Sequence, residues 1–229
     1  MQDIQTNLQA TGAFAVVDAF NAGSGHAGAA TPTLATLQGY TAVLTWSDGI
    51  YAAGTGDVLA QYWDGGGAVV VGMWALSSRF PLGGRFGTGA NGYMLMDAPA
   101  GYEQPADTLG TVLEPQSPLM TGVASLSATQ AIRSTGSVIN GGVVVAQWAS
   151  NGRPLVVRGT KAGRPIVALN MIPASATVNG VLWTGDGAAL LRNALLYSVC
   201  SPCPAGSFAA VGTWRGAEGE EECQPTVRD

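Results

Sequence analysis

The sequence has few charged residues, and this scarcity argues against several classes of protein. Only 11% of its 229 residues are charged and 47% are hydrophobic, unlike disordered chains and coiled coils. The formal net charge is −5, much of it from Glu218 and the run 220–222. Because the remainder is close to neutral, we expect no nucleic-acid partner. No apolar run approaches the roughly 18 residues of a membrane-spanning helix, and we see no signal peptide after Met1.

Histidine and cysteine, common bases and nucleophiles of enzymes, are scarce. His26 is the sole histidine, and the cysteines occur only at Cys200, Cys203 and Cys223, so residues 1–199 carry no thiol chemistry. The spacing of the cysteines is compatible with a zinc half-site, a redox C-x-x-C motif or the start of a disulfide-rich module. We favour disulfides, which imply an oxidising compartment. The odd number of cysteines suggests a chain cut short at its C-terminus.

A helix followed by a buried strand is predicted in the first half of the chain. Four apolar residues share one stripe of a 3.6-residue period, which favours a helix from Thr55. They are Val58, Leu59, Tyr62 and Trp63. Thr55 or Asp57 would cap the helix, and 65–67, three glycines, would end it. The apolar run 68–71 then predicts a strand covered on both faces, and the turn after it lies where open α/β sheets usually bind ligands.

Other helices and strands alternate around this pair. Before it we predict a helix at 3–11, a strand at 15–20, a helical turn at 34–40 and a strand at 42–46. After it comes an irregular insertion at about 76–140, with strand-like pieces at 93–96 and around Val123. Strands at 143–148, 155–158 and 165–170 and a helix at 187–198 follow. Asn151-Gly152 predicts a hairpin, a second turn at 161–164 leads to the strand that follows it, and Thr184 or Asp186 would cap the last helix.

This alternation predicts an α/β fold. We expect a three-layer, flavodoxin-like, doubly wound sheet that is mostly parallel, with an irregular insertion and a short cysteine-containing C-terminal tail. A doubly wound sheet normally begins with a strand, whereas this chain begins with a predicted helix, so the first strand is apparently missing. We place the boundary between an α/β domain and the tail so that they cover residues 1–199 and 200–229.

Several short motifs resemble the class I glutamine amidotransferase-like superfamily and its ThuA-like branch. GYTAVLTW at 39–46 and YWDGGGAVVVGMW at 62–74 resemble the superfamily's core. NGRPLVVRGTKAGRPIVALNMIP at 151–173 and WTGDGAALLRNALLYS at 183–198 are similar to the hairpin and final helix of the ThuA-like branch. The match covers most of residues 1–199 outside the insertion. In its catalytic members, the superfamily implies a thiol amidotransferase with a Cys-His-Glu triad.

The chain departs from this pattern where the catalytic pair would stand. The resemblance implies a cysteine in a G-x-C-x-G turn after the central strand. Gly72 is kept, but Trp74 takes the cysteine's place. Pro173 survives from the histidine motif, but Met171 or Ile172, depending on the register, replaces the histidine. A thiolate needs both groups for its activation, so we expect no glutamine amidotransferase activity.

Few other residues offer catalytic chemistry. His26, in a glycine-rich loop, is the only imidazole base. Asp18, Asp48 and Asp186 stand near predicted strand or turn ends, but none has a second carboxylate or histidine at ligand spacing, so we expect no metal and no cofactor. Residues 87–92 spell G-x-G-x-x-G, but they lack the strand before and the helix after that a dinucleotide site needs.

Aromatic and arginine side chains supply the candidates for ligand binding. Three tryptophans end predicted strands and a fourth precedes the last helix. Gathered over one edge of the sheet, their rings would stack on a sugar or a peptide. The alternative is that they cover the ends of the sheet as part of the core. With two arginines of the insertion, the candidates are Trp46, Trp74, Trp148, Trp183, Arg79 and Arg85.

The tail resembles the opening of the ephrin-receptor-like cysteine-rich repeat of large extracellular proteins. The matching residues are C-x-x-C-P-A-G-S-F at 200–208 and C-Q-P at 223–225. This resemblance implies one domain of a larger secreted or cell-surface protein. We therefore expect a non-catalytic amidotransferase-like domain that serves as a binding or structural module, with a carbohydrate or protein ligand. The alternative is a ThuA-like enzyme acting on carbohydrate, with a site built from Arg79 or Arg85, His26 and Asp48.

Overall fold

The computed structural model describes residues 1–23, 29–97 and 101–199, in which helices dominate the first part and strands the second. The helices are α1 (Gln2–Ala10), α2 (Leu34–Gln38), α3 (Thr55–Asp64), α4 (Gly84–Gly87) and α5 (Gly187–Val199). The strands are β1 (Ala42–Thr45), β2 (Ala68–Gly72), β3 (Tyr102–Glu103), β4 (Asp107–Val112), β5 (Leu126–Ala128), β6 (Arg133–Ser134), β7 (Val143–Trp148), β8 (Pro154–Lys161), β9 (Arg164–Leu169) and β10 (Trp183–Gly185). Within these ranges, no helix has both the length and the apolar character needed to cross a membrane.

Eight strands form one mixed sheet in the order β1-β2-β9-β8-β7-β4-β5-β10. The pairs β1–β2 and β2–β9 are parallel, and the other five neighbouring pairs are antiparallel. The α/β class is therefore confirmed, but the prediction that the sheet is mostly parallel is wrong, because the sheet is mixed. The physical reason is that short turns at 149–153 and 162–163 return the chain directly from β7 to β8 and from β8 to β9, whereas parallel neighbours need a long crossover.

Helices cover both faces of the parallel part of the sheet. In this part of the fold, the sheet is the middle layer between two layers of helices. Successive residues of β2 face opposite ways, as the pleat requires. Val70 belongs to the core that includes residues of α1 and α5, whereas Val69 and Val71 belong to the core that includes residues of α2 and α3. All five residues of β2 are buried, in agreement with the unbroken apolar run that predicted this strand.

The central helix occurs where the sequence predicts it, but its cap differs. α3 begins after Gly54, whose φ of +82° is a conformation that glycine adopts without strain. Neither predicted cap serves the helix. Thr55 donates its hydroxyl to the carbonyl of Ala52 at 2.7 Å, and the carboxylate of Asp57 accepts the backbone N–H of Arg85 at 2.7 Å.

The last helix is also confirmed, and the two residues predicted to cap it bind the insertion. The carboxylate of Asp186 accepts the backbone N–H groups of Ala124 and Ser125 at 3.0 and 2.7 Å. The hydroxyl of Thr184 donates to the carbonyl of Ser127 at 3.3 Å. These bonds fix β5 of the insertion beside the start of α5, so capping-type residues here join two distant parts of the chain.

The N-terminal helix is confirmed, whereas the predicted strand at 15–20 is wrong. Val16 and Phe20 are 65% and 47% exposed, and the segment belongs to no strand of the described chain. Phe14 and Val17 pack against the core instead, which breaks the alternation that a half-buried strand requires. Consequently β1, with β2 as its one strand neighbour, forms an edge of the sheet.

The insertion extends the main sheet. The strand-like pieces predicted at 93–96 and around Val123 are not strands, apart from one isolated bridge between Met96 and Val138. Instead β4 pairs with β7 and β5, and β5 pairs with β10. Another two strands, β3 and β6, pair as a separate ribbon.

Candidate functional site

The carboxyl ends of β1, β2 and β9 meet at one edge of the sheet. The backbone N–H of Ser47 donates to the carbonyl of Met73 at 3.4 Å, and the N–H of Met73 donates to the carbonyl of Met171 at 3.0 Å. The segments that follow the three parallel strands are therefore neighbours. Open α/β sheets usually bind their ligands at this edge, which makes it the candidate site.

The turn after β2 is narrow and strained. A Cβ atom on Gly72 would lie 3.1 Å from Pro173 Cγ and 3.2 Å from Trp46 Cβ. Trp74 has a φ of +38°, a conformation that costs a bulky residue of the order of 1–3 kcal/mol. Ser77 stabilises the turn, since its backbone N–H and its hydroxyl both donate to the carbonyl of Trp74. In α/β hydrolases a sharp turn after a strand presents the nucleophile, whereas here it presents an indole.

The two positions that the resemblance assigns to cysteine and histidine hold packed apolar side chains. Trp74 is 6% exposed and Met171 is 3% exposed, while Ile172 is partly buried. Beside Met171 and Ile172, the indoles of Trp148 and Trp183 line a cavity of about 10 Å³. This volume has room for about one water molecule and is too small for a substrate.

The four candidate tryptophans are divided between the two cores. Trp148 and Trp183 are 1% and 6% exposed, and their indole N–H groups donate to backbone carbonyls of the segment that follows β9. Trp46 is partly buried against the same core, whereas Trp74 belongs to the core on the other face of the sheet. Three of the four rings therefore expose little surface to a ligand.

Trp74 lies in a cluster of three aromatic rings and one guanidinium group, which we call the aromatic box. The ring centroids of Tyr102 and Phe80 are 4.6 and 5.8 Å from that of Trp74, with interplanar angles of 75° and 76°. Arg79 Cζ lies 5.6, 5.2 and 5.6 Å from the centroids of Trp74, Phe80 and Tyr102. Its Nη1 donates to the Tyr102 hydroxyl at 2.7 Å. Of the predicted candidates, the box contains Trp74 and Arg79.

Arg85, the other candidate arginine, belongs to a separate cluster along α3. Its Nη1 donates to Asp64 Oδ2 at 2.5 Å and to the Tyr93 hydroxyl at 2.9 Å, and Tyr93 donates to Asp64 Oδ1 at 2.8 Å. Burial by itself would raise the pKa of Asp64, but the hydrogen bonds from Tyr93 and Arg85 outweigh it and lower the pKa below its ordinary value. The two arginines of the insertion thus have different partners.

A buried ionic network that no sequence motif indicates lies on the insertion side of the sheet. Arg133 is fully buried, and its guanidinium donates to Asp107, to Glu103 at 2.7 Å and to Ser150 at 3.1 Å. Burial would raise the pKa of Asp107, but hydrogen bonds from Ser150 and Arg133 outweigh it and lower that pKa. Arg133 Cζ also lies 5.5 Å from the ring of Trp148. The partners are far apart in sequence, so no local spacing could have shown them.

A groove of about 470 Å³ opens beside this network. It lies between residues 135–138 and the β7–β8 turn at 151–154. Arg153 Nε and Asn151 Nδ2 both donate to Glu103 Oε1, at 2.8 and 3.0 Å, so the turn is tied to the network. Since β8 starts where β9 ends, the groove lies at the same edge of the sheet as the turn after β2.

The remaining candidate residues lie apart from one another. Asp48 is exposed in the turn after β1, and the carboxylate of Asp18 accepts the hydroxyl of Tyr40 at 2.7 Å. Backbone and hydroxyl hydrogen bonds from Ser125, together with a backbone one from Ala124, lower the pKa of Asp186. In the described ranges, no three His, Cys, Asp or Glu side chains are grouped so as to hold a metal ion. Outside the described residues lie His26, Cys200, Cys203 and Cys223.

Comparison with known proteins identifies solved structures that have a similar fold. No protein-family model and no curated protein matches the chain. A protein from Parabacteroides merdae described as ThuA-like is 15% identical, with 85% of this chain and 83% of that one covered and a TM-score of 0.57. A second protein described as ThuA-like, from Bacteroides uniformis, is 17% identical, with 76% and 75% covered and a TM-score of 0.51. A cytoplasmic protein from Salmonella typhimurium is 13% identical, with 74% and 76% covered and a TM-score of 0.51. At these identities the likeness shows the fold, which is ThuA-like.

Proposed function

We propose that this chain is a non-catalytic ThuA-like domain that acts as a binding or structural module within a larger secreted or cell-surface protein. The observation that carries the proposal is the packing at the carboxyl edge of the sheet. Where catalytic relatives of the superfamily would hold a cysteine and a histidine, buried Trp74 and Met171 fill the space. The small cavity beside Met171 supports the same conclusion.

The chemistry of acyl transfer explains why this packing matters. A thiol amidotransferase needs a thiolate, a base within hydrogen-bond reach of it and space for the substrate carbonyl between them. Indole and thioether side chains supply neither a nucleophile nor a base at neutral pH. The strained backbone turn carries at Trp74 a side chain that cannot attack a carbonyl. We infer that the edge serves binding or packing.

The cellular setting in this proposal rests on the sequence of the tail. Its resemblance to the ephrin-receptor-like cysteine-rich repeat supports an extracellular location, disulfides among Cys200, Cys203 and Cys223, and further domains in the same polypeptide. Mass spectrometry of the secreted native protein after alkylation of free thiols tests this part. We expect at least one pair of the three cysteines to resist alkylation until reductant is added. Three freely alkylated cysteines would contradict the oxidised state.

Assays of turnover test the loss of catalysis. The full chain is incubated with glutamine, with ammonia release as the readout, and with aryl glycosides and oligosaccharides, with reducing-sugar release as the readout. We expect no turnover above the protein-free control. Turnover that disappears in the His26→Ala or Asp48→Asn variant would refute the proposal.

The alternative is a ThuA-like enzyme that acts on carbohydrate. The observation that favours it is the polar groove at the same edge, which is lined by hydroxyl, amide and guanidinium groups of Thr135, Ser137, Asn151 and Arg153. Such groups bind sugar hydroxyls, and its volume of about 470 Å³ is in the range of small-molecule sites. Arg79 or Arg85 would assist His26 and Asp48 in that case. Sugar turnover lost in both His26→Ala and Arg153→Ala would support this alternative.

A further inference from the structure

The aromatic box holds one positive charge against three rings at once. The Arg79 carbon at the centre of the guanidinium lies between 5.2 and 5.6 Å from all three centroids. Within about 6 Å, the negative face of an aromatic ring attracts a cation. Phe80 and Tyr102 both stand nearly perpendicular to Trp74, so three rings of different orientation lie around the same guanidinium. This arrangement is an aromatic cage with a side chain of the protein inside it.

The side chain inside the cage is replaceable. Arg79 is exposed, and in the described part of the chain it forms no ion pair with a carboxylate. Among the described residues, its side chain has one hydrogen bond, to the hydroxyl of Tyr102. By contrast, Arg133 is fully buried and binds two carboxylates. Arg79 can therefore turn into solvent without leaving a buried charge unpaired, whereas Arg133 cannot.

The position of the cage in the fold points to a ligand. Trp74 lies directly after the central parallel strand, at the edge where open sheets bind ligands. Its φ of +38° is strained. A strained residue persists only where the surrounding structure holds it in place, and such residues cluster at active and ligand-binding sites. The tryptophan is 6% exposed with Arg79 over its ring, and removal of the arginine side chain would uncover that ring.

We propose that the aromatic box binds an organic cation of the quaternary ammonium class in exchange for the guanidinium of Arg79. The proposal rests on the proposed function, since it names a ligand class for the binding module. A trimethylammonium group is weakly hydrated and round, so it can touch three rings at once. A primary ammonium is a strongly hydrated point charge and loses more hydration on entering the cage. Quaternary cations therefore bind in preference to lysine-type amines.

The test compares two probes that differ in charge and share their shape. Choline and its neutral carbon isostere 3,3-dimethyl-1-butanol are titrated into the full chain, with calorimetry as the readout. We expect choline to bind about tenfold more tightly than the isostere, as a cation–π contribution requires. In Arg79→Ala, which removes the internal competitor, choline affinity rises about tenfold further.

Matched variants assign the binding to the cage. Tyr102→Leu removes one wall and abolishes the preference for choline, whereas Tyr102→Phe keeps the ring, loses the hydrogen bond to Arg79 and binds choline at least as well as the wild type. Arg85→Ala, which alters the other arginine–tyrosine cluster, leaves the affinity unchanged. Equal affinity for both probes in the wild type and in Arg79→Ala overturns the proposal. A preference for choline that survives in Tyr102→Leu also overturns it.

The failure of this proposal can be told apart from the failure of the proposed function. Turnover of glutamine or a saccharide by a chain that binds choline would refute the non-catalytic assignment and leave the cage intact. A chain without turnover that does not distinguish choline from its isostere would refute the cage and leave the non-catalytic assignment standing.

Discussion

Replacement of Arg133 by methionine is the most decisive perturbation of the fold. The side chain of Arg133 is 0% exposed, and the Asp107 side chain that it binds is 2% exposed. The methionine retains much of the side-chain volume but removes the positive charge, so a buried carboxylate loses its partner. Breaking a buried pair in this way costs about 3–5 kcal/mol, because the remaining charge has no water to solvate it. We expect a loss of unfolding free energy of that size at pH 7.

Urea unfolding followed by tryptophan fluorescence measures this loss. Arg85→Met is the matched control, since the Arg85–Asp64 pair is 42% and 41% exposed and solvent can replace the lost contact. We expect the control to lose markedly less stability. The double variant Arg133→Met/Asp107→Asn should recover most of the loss, because the neutral amide no longer needs a counter-charge.

The pH dependence distinguishes this mechanism from a simple packing defect. In the wild type the pKa of Asp107 is lowered, so its contribution is complete above the unfolded value of about 3.9 and is lost as the pH falls through the folded pKa. In Arg133→Met the carboxylate is buried without its cation, and its pKa rises. The variant's deficit should therefore shrink as the pH falls through this raised pKa. A deficit below about 1 kcal/mol at pH 7, or one that does not change with pH, would refute the reasoning.

Three further predictions concern single positions. Gly110→Ala should destabilise the fold by about 1–3 kcal/mol in urea unfolding, because the added Cβ would lie 2.6 Å from the backbone at the end of the neighbouring strand. Gly83→Ala is the control and should be nearly neutral, because the space around Gly83 is open. The ionisation of Tyr62, whose pKa burial raises to about 12, should be displaced well above pH 10 in an ultraviolet titration, and its stabilisation should be lost between about pH 10 and 12; ionisation near pH 10 in the native state would contradict this. Asn170→Ala should cost about 1–3 kcal/mol, because the amide binds both backbone groups of Ser134 at 2.6 and 3.1 Å; an unchanged urea midpoint would show that this link is dispensable.

Local patterns explain what could be predicted of the fold. α3 and β2 follow from a periodic stripe, a glycine stop and an apolar run, all within neighbouring residues. The β7–β8 hairpin follows from Asn151-Gly152, because glycine at φ of +70° accepts the turn without strain. This hairpin and the short turn predicted at 161–164 already imply that β7, β8 and β9 are antiparallel neighbours. The expectation of a mostly parallel sheet therefore gave too much weight to the alternation of helices and strands.

What could not be predicted depends on contacts between distant residues. β4 joins the sheet beside β7, although Leu109 and its partner Trp148 are far apart in sequence and the residues around β4 are poorly patterned. The aromatic box joins residues that follow β2 to Tyr102 of β3 in the same way. The sequence did single out Trp74 and Arg79, but the two rings that complete the box became visible only in three dimensions.

The conformation of Trp74 connects the proposed absence of catalysis to the proposed binding. Glycine at this position would remove a strain of the order of 1–3 kcal/mol, so the tryptophan persists only because its ring contacts outweigh that cost. Those contacts are the edge-to-face packing of Phe80 and Tyr102 and the charge of Arg79. If they are purely structural, Trp74→Gly should lower stability by the loss of a buried indole, and Arg79→Ala should lower it further by uncovering the rings. If the box is a ligand cage, Arg79→Ala should cost little stability and gain affinity for choline, and that combination is one that packing by itself does not produce.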